Sequence, residues 1–154
     1  MAQIQSMLNQ GIIRPSNSAW LAPAVYTTKK NGDVRIAVDY RELNKRTARD
    51  AYPLPLPDEI QDRLHDSSIY STLDLNSGYW QIPVSAPVVH KTAFTPGPGM
   101  GAFEFLRMPF GVTGSPVTFQ RLMYSLLHSM PSGLSKFSLQ PYVLAQNMAT
   151  CLFF

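Results

Sequence analysis

The chain is poor in the residues that build metal and redox centres. Cys151 is the only cysteine among 154 residues, which excludes an internal disulfide and any cysteine-based zinc site. His65, His90 and His128 show no metal-ligand spacing. No apolar run is long enough to cross a bilayer, and the start, Met1-Ala2-Gln3-Ile4-Gln5, has the pattern of neither a signal nor a transit peptide. The expectation is an intracellular, soluble protein without a membrane partner. Acidic residues end early, and none follows Glu104. There is no internal repeat and no low-complexity tract.

What is present suffices for one domain with a core, since 45% of the residues are hydrophobic. The net charge of +3 is unevenly spread. Residues 1–50 hold eight Lys/Arg (Arg14, Lys29, Lys30, Arg35, Arg41, Lys45, Arg46, Arg49) against four acids, and the remainder is slightly acidic. A basic half of this kind suits a polyanion or nucleotide partner, or is simply a solvated face.

Apolar Ile4, Met7, Leu8 and Ile12 recur at helical spacing and stop around Gly11, which predicts a short helix capped by that glycine. Residues 22–28 and 34–40 read as two strands joined through Lys30-Asn31-Gly32-Asp33, a tight-hairpin signal with lysines at its tip. Residues 41–47 read as a polar, basic connector. The prolines of residues 52–57 forbid a helix, and one can restart over residues 58–65, where Asp58, Glu59 and Asp62 fall in its first turn. Strands are expected near residues 69–75, 81–84, 91–95 and 102–106, the last two separated by a Gly/Pro turn. A helix then opens at Ser115-Pro116 and carries Phe119, Leu122, Met123, Leu126, Leu127 and Met130 at helical spacing. From Pro131 onward no clear period is visible.

The most informative stretch is Leu73-Asp74-Leu75-Asn76-Ser77-Gly78-Tyr79-Trp80, which sets one carboxylate in a strand-like apolar run. An unpaired buried carboxylate costs several kcal/mol, so such a residue has a donor, a basic partner or a metal ion, unless it faces water from an edge strand.

Taken in order, Gly11-Ile12-Ile13-Arg14-Pro15-Ser16, Val38-Asp39-Tyr40-Arg41-Glu42-Leu43-Asn44, Asp50-Ala51-Tyr52-Pro53-Leu54-Pro55, the Leu73-Asp74-Leu75 block, Lys91-Thr92-Ala93-Phe94, Met108-Pro109-Phe110-Gly111 and Phe119-Gln120-Arg121-Leu122-Met123 resemble the blocks of the reverse transcriptase domain of gypsy-class LTR retrotransposons. The resemblance covers about residues 4–127. It implies an α+β, partial right-hand polymerase fold, with fingers plus an incomplete palm and an antiparallel sheet with packed helices. It also implies a two-metal, Mg²⁺-dependent nucleotidyl transfer that extends a primer on an RNA or DNA template with dNTPs.

By this resemblance Asp74 corresponds to the first catalytic aspartate, with the carbonyl of Leu75 completing the metal shell. Tyr79 matches the aromatic residue beside the incoming sugar. Arg35 with Lys29 or Lys30 matches the triphosphate clamp, Phe110 and Gly111 the floor of the nucleotide pocket, and Gly114, Ser115 and Pro116 with Arg41 the template and primer contacts. The family's second acidic turn, Tyr-x-Asp-Asp, is absent: the nearest look-alike, Tyr142-Val143-Leu144-Ala145, has no carboxylate. The expected organisation is therefore fingers and the first part of a palm over residues 1–127, followed by an unmatched, non-native or poorly ordered tail over residues 128–154. The expected function is that of a C-terminally truncated reverse transcriptase domain, inactive by itself, with weak or absent Mg²⁺ binding. The alternatives are a non-catalytic nucleic-acid-binding remnant and an unstable pseudogene product. The oligomeric state stays open.

Overall fold

Helix α1 (Ala2–Asn9) forms because Ile4 and Met7 lie on one face and bury it. It ends where Gly11 adopts a φ of +63°, with the Gly11 and Ile12 N–H groups donating back to the carbonyls of Leu8 and Met7 at 3.0 and 2.9 Å. This double closure is the glycine-terminated helix end that the spacing predicts. In the computed structural model, which describes residues 2–28, 32, 34–52, 70–128, 136–139 and 149–153, the chain divides into two units, Met1–Ala48 with Tyr79–Ser115 and Arg49–Gly78 with Pro116–Phe154.

The first unit is built on a five-stranded sheet in the order β1-β6-β5-β2-β3. Its strands are β1 (Ile13–Pro15), β2 (Ala22–Thr28), β3 (Val34–Val38), β5 (Phe94–Thr95) and β6 (Phe103–Phe105). The β2–β3 hairpin is antiparallel, with Tyr26 opposite Ile36. Pairing is antiparallel elsewhere too, except that β2 and β5 run parallel, with Ala22 opposite Phe94. Ile4, Met7, Ile12, Ile13, Tyr40, Phe94 and Phe105 form the buried core. Phe94 is fully buried between the rings of Phe103 and Phe105, at centroid distances of 6.1 and 5.1 Å. The Tyr40 hydroxyl, also buried, donates to the Thr92 carbonyl at 2.7 Å.

Three sequence expectations are corrected in this unit. Residues 41–45, read as a connector, form the short helix α2 (Arg41–Lys45). The Asp39 carboxylate accepts the Arg41 backbone N–H at 3.1 Å, and Lys45 pairs with Glu42 one turn away; both favour the helix over an open loop. Residues 81–84 do not form a strand, because Gly78–Gln81 is a 3₁₀ turn followed only by an isolated bridge from Pro83 to Arg107. The start of the strand expected over residues 91–95 also turns, with Lys91 and Thr92 closing a 3₁₀ segment Ala86–Thr92 that has Pro87 in its first turn, leaving Phe94–Thr95 as strand.

The second unit contains a three-stranded antiparallel sheet in the order β4-β8-β7, formed by β4 (Tyr70–Asp74), β7 (Lys136–Leu139) and β8 (Ala149–Phe153). The two last strands were not visible as a pattern, since each is only four or five residues long; β8 pairs with β4 and β7 with β8. The helix begun at Ser115, here α3 (Ser115–His128), has the expected start. Val117 and Phe119 on it are buried, whereas Leu122 and Leu126 of the same apolar pattern are exposed. Gly78 lies under Phe119: a Cβ there would meet the ring at 3.0 Å. The helix expected over residues 58–65 lies outside the described residues, as does the hairpin tip with Lys29 and Lys30.

Candidate nucleotide and nucleic-acid site

Asp74 is the last residue of β4, and its register partner on β8 is Ala149. The strand forms an edge of its sheet among the described residues. Leu75, whose carbonyl the sequence reading assigned to a metal shell, follows the strand half-buried. Among the described residues no group of three His, Cys, Asp or Glu side chains is placed to hold a metal ion. The residue in register with Asp74 is thus an alanine, and no Asp or Glu follows Glu104 in the sequence. These residues do not fit a two-ion centre, which needs carboxylates shared between the ions.

In the first unit, the structure brings together Tyr79, Phe110 and Gly111. Tyr79 is buried, and its ring lies 4.9 Å from that of Phe110. Burial pushes the Tyr79 hydroxyl pKa up, so it stays protonated and can act only as a neutral phenol at ordinary pH. Trp80 approaches the same Phe110 ring edge-on at 6.2 Å. Gly111 holds a φ of +89°, which favours glycine, and its carbonyl accepts from the Asn44 amide at 2.8 Å.

Asn44 was missed as a site residue. Its amide oxygen also accepts the Thr113 N–H at 2.9 Å, so one side chain on α2 secures both ends of the turn after Phe110. Its presence in the Arg41-Glu42-Leu43-Asn44 block was the available signal. Gly114 precedes α3. The buried Ser115 hydroxyl donates to the Pro109 carbonyl at 3.0 Å, which makes Ser115 a turn anchor, and Pro116 follows it as the second residue of α3.

The Arg41 side chain is 85% exposed. Its Nε and terminal nitrogen reach the Asp39 carboxylate at 2.9 and 2.6 Å. Hydrogen bonding from Arg41 holds the Asp39 carboxyl below the usual range, and the Asp39 partner raises Arg41. The pair keeps the guanidinium at the start of α2. Arg35 sits in β3 opposite Thr27; its side chain, like Lys29 and Lys30, is outside what the structure describes. The structure therefore assembles the Tyr79-Phe110-Gly111 group in one unit and holds the Asp74 strand in the other.

A second feature was also missed. Glu104 on β6 is buried and faces Arg14 on β1, whose terminal nitrogen lies 2.7 Å away. Burial works to raise its carboxyl, but hydrogen bonds from Ser16 and Arg14, with the nearby charges of Arg14 and His90, outweigh it and leave the carboxyl below the usual glutamate value.

Short helices and a hairpin-bearing sheet in one unit, and in the other a three-stranded sheet whose edge strand β4 ends on Asp74, are consistent with the right-hand polymerase class of fold in partial form. Residues 27–145 match the family model described as reverse transcriptase (RNA-dependent DNA polymerase), and the chain belongs to that family. It is 41% identical over 133 residues to the retrovirus-related Pol polyprotein from transposon 297 of Drosophila melanogaster, covering 83% of this chain and 12% of that protein. It is 38% identical over 125 residues to the transposon Tf2-3 polyprotein of Schizosaccharomyces pombe, covering 81% of this chain and 9% of that one. Among solved structures, the protease-reverse transcriptase of prototype foamy virus superposes with a TM-score of 0.81 at 28% identity, over 97% of this chain and 18% of that chain. The chain thus spans a small part of the length of the relatives it matches. No helix among the described residues is long and apolar enough to cross a membrane.

Proposed function

We propose that this chain is a fingers and partial-palm domain that retains contacts to nucleic acid and nucleotide but does not polymerise by itself. The observation that carries the reading is the pairing of Asp74 with Ala149, together with the absence of any acid after Glu104. In the family, divalent ions activate the primer 3′-hydroxyl and neutralise the leaving pyrophosphate. Here a single aspartate with the Leu75 carbonyl would have to hold them. Mg²⁺ keeps most of its waters at such a site and binds weakly, so among the described residues Asp74 is the one catalytic-type ligand of an incomplete centre. Residues 1–127 carry the fingers and the first part of the palm in this reading, and residues 128–154 add strands without chemistry. An intracellular location suits a template-primer partner.

The other residues have roles in binding. Tyr79 against Phe110 forms the sugar-side wall of a nucleotide pocket, with Gly111 allowing close backbone approach. In this reading Arg35 with Lys29 or Lys30 serves as the triphosphate clamp, while Arg41, Gly114, Ser115 and Pro116 support the template strand. The test is primer extension on an RNA template with Mg²⁺, comparing the chain with Asp74→Asn. No extension by either is expected. Extension that is lost in the variant would overturn the reading and mean that a second chain or another acid completes the centre. Binding of a primer-template that weakens steeply with salt, with little base preference, supports the nucleic-acid role.

A further inference from the structure

Strand β3 closes one side of the five-stranded sheet and pairs only with β2 among the described residues. The two sides of its backbone can be told apart. The Asp39 N–H, just past the strand, donates to the Pro23 carbonyl at 2.9 Å, and successive N–H groups of a strand point to opposite sides. The Ile36 N–H, three residues earlier, therefore points away from β2, to the side where a further strand would lie. That slot is filled: the Gln3 side-chain carbonyl accepts the Ile36 N–H at 3.1 Å. Helix α1 brings Gln3 there because its next residue, Ile4, and Met7 are buried in the cluster against which Ile36 and Val38 pack. An amide side chain thus stands in for the peptide group of a neighbouring strand.

An uncovered strand edge is a template for another strand. A second copy of β3 is the occupant that the register favours. In an antiparallel pair centred on Ile36, the two Ile36 residues exchange N–H to carbonyl bonds, Val34 of one copy meets Val38 of the other, and Arg35 meets Ala37, so the two arginines do not face each other. The free end of the edge is apolar, with Val34 58% exposed and Tyr26, which lies opposite Ile36 on the same face, 49% exposed. Edges that resist pairing carry charge at such positions. Five residues of strand bury less than a standard interface, so the contact is weak and a single hydrogen bond decides whether it forms.

We infer that the β3 edge is a self-association surface, which adds the β3 strand of a second copy, and that Gln3 holds it closed. The Ile36 N–H cannot serve both partners. Dimerisation therefore requires both copies to release Gln3, and α1 acts as a guard on the sheet it packs against.

The test is sedimentation equilibrium of the full chain, with amide hydrogen exchange at Ile36 read at low and high protein concentration. Gln3→Met keeps the bulk and the helix but has no amide oxygen, and it is expected to dimerise about tenfold more tightly than the unsubstituted chain, since two guarding hydrogen bonds no longer compete. Its Ile36 amide should exchange fast when dilute and slowly when concentrated. Gln3→Glu retains an acceptor and should behave as the unsubstituted chain. Val34→Lys, at an exposed position, puts charge on the edge, so the double variant Gln3→Met with Val34→Lys should return to monomer. Equal self-association of Gln3→Met and the unsubstituted chain would overturn the guard. Dimerisation that survives Val34→Lys, or that leaves Ile36 exchange unchanged with concentration, would overturn the β3 surface, as would a Gln3→Met variant that stays monomeric at its highest soluble concentration.

Discussion

Substitution of the Glu104–Arg14 pair should be asymmetric, and the structure gives the reason. Two nitrogens of Arg14 lie 2.7 Å from one carboxylate oxygen, and the Ser16 hydroxyl lies 2.6 Å from the other. The Glu104 side chain is 8% exposed and that of Arg14 57%. If the glutamate is replaced, the guanidinium returns to water, and Glu104→Gln should cost about 1 kcal/mol for weakened hydrogen bonds. If the arginine is replaced, a carboxylate stays buried with only Ser16 to satisfy it, so Arg14→Ala should cost about 3 kcal/mol.

The pH dependence follows from the lowered folded-state pKa of Glu104. Its stabilisation is present above the ordinary glutamate value and is lost as pH falls through the lower folded value. Glutamine does not titrate, so the stability gap between the unsubstituted chain and Glu104→Gln should narrow from pH 7 to pH 3. Urea unfolding followed by tryptophan fluorescence at both pH values reads all of this. A larger cost for Glu104→Gln than for Arg14→Ala, or a gap that does not narrow in acid, would refute the reasoning.

Three further outcomes are expected from the same unfolding assay. Phe94→Ala removes a fully buried ring between Phe103 and Phe105 and should cost about 3–5 kcal/mol; a loss under 1 kcal/mol would mean that the cluster repacks. Tyr40→Phe takes the donor from the Thr92 carbonyl and should cost about 1–2 kcal/mol, with an unchanged urea midpoint counting against that bond. Gly111→Ala places a side chain at a φ of +89° and should cost about 1–2 kcal/mol from backbone strain. The nearest atom to the new methyl is the Val38 carbonyl at 3.5 Å, so a much greater loss would point to a clash that the geometry does not contain.

Local signals were readable wherever one residue type decides the backbone. Gly11 closes α1, and the β2–β3 pairing agrees with the two strand-like runs, because a left-handed cap and a hairpin each have a chemical signature in a few adjacent residues. Helix α2 was hidden because its start depends on the Asp39 side chain reaching the Arg41 N–H, which composition reads only as charge. The 3₁₀ segment Ala86–Thr92 was hidden because its end overlaps the strand expected near residues 91–95, while Pro87 and the tertiary position of Thr92 favour a turn. Thr92 donates to the Val89 carbonyl at 2.7 Å and accepts the Phe105 N–H at 2.8 Å.

The site divides in the same way. Tyr79, Phe110 and Gly111 were marked by family blocks and meet in space. Glu104 pairs with Arg14, about ninety positions away, and no short window along the sequence contains both.

The pairing of β4 with β8 separates fold from chemistry. Ladder hydrogen bonds are made by the main chain and are indifferent to whether the residue facing Asp74 is an acid or Ala149. An apolar β8, Ala149-Thr150-Cys151-Leu152-Phe153, is if anything easier to pair and bury than one bearing carboxylates. The same substitution of side chains that leaves the sheet intact removes the groups that could share metal ions. Backbone similarity to a polymerase, at a TM-score of 0.81, therefore reports the pairing of strands and carries no information about the second set of ligands. On the proposed reading, a two-ion centre in this chain would need carboxylates in the segment after α3, and the sheet formed there offers the backbone on which to place them.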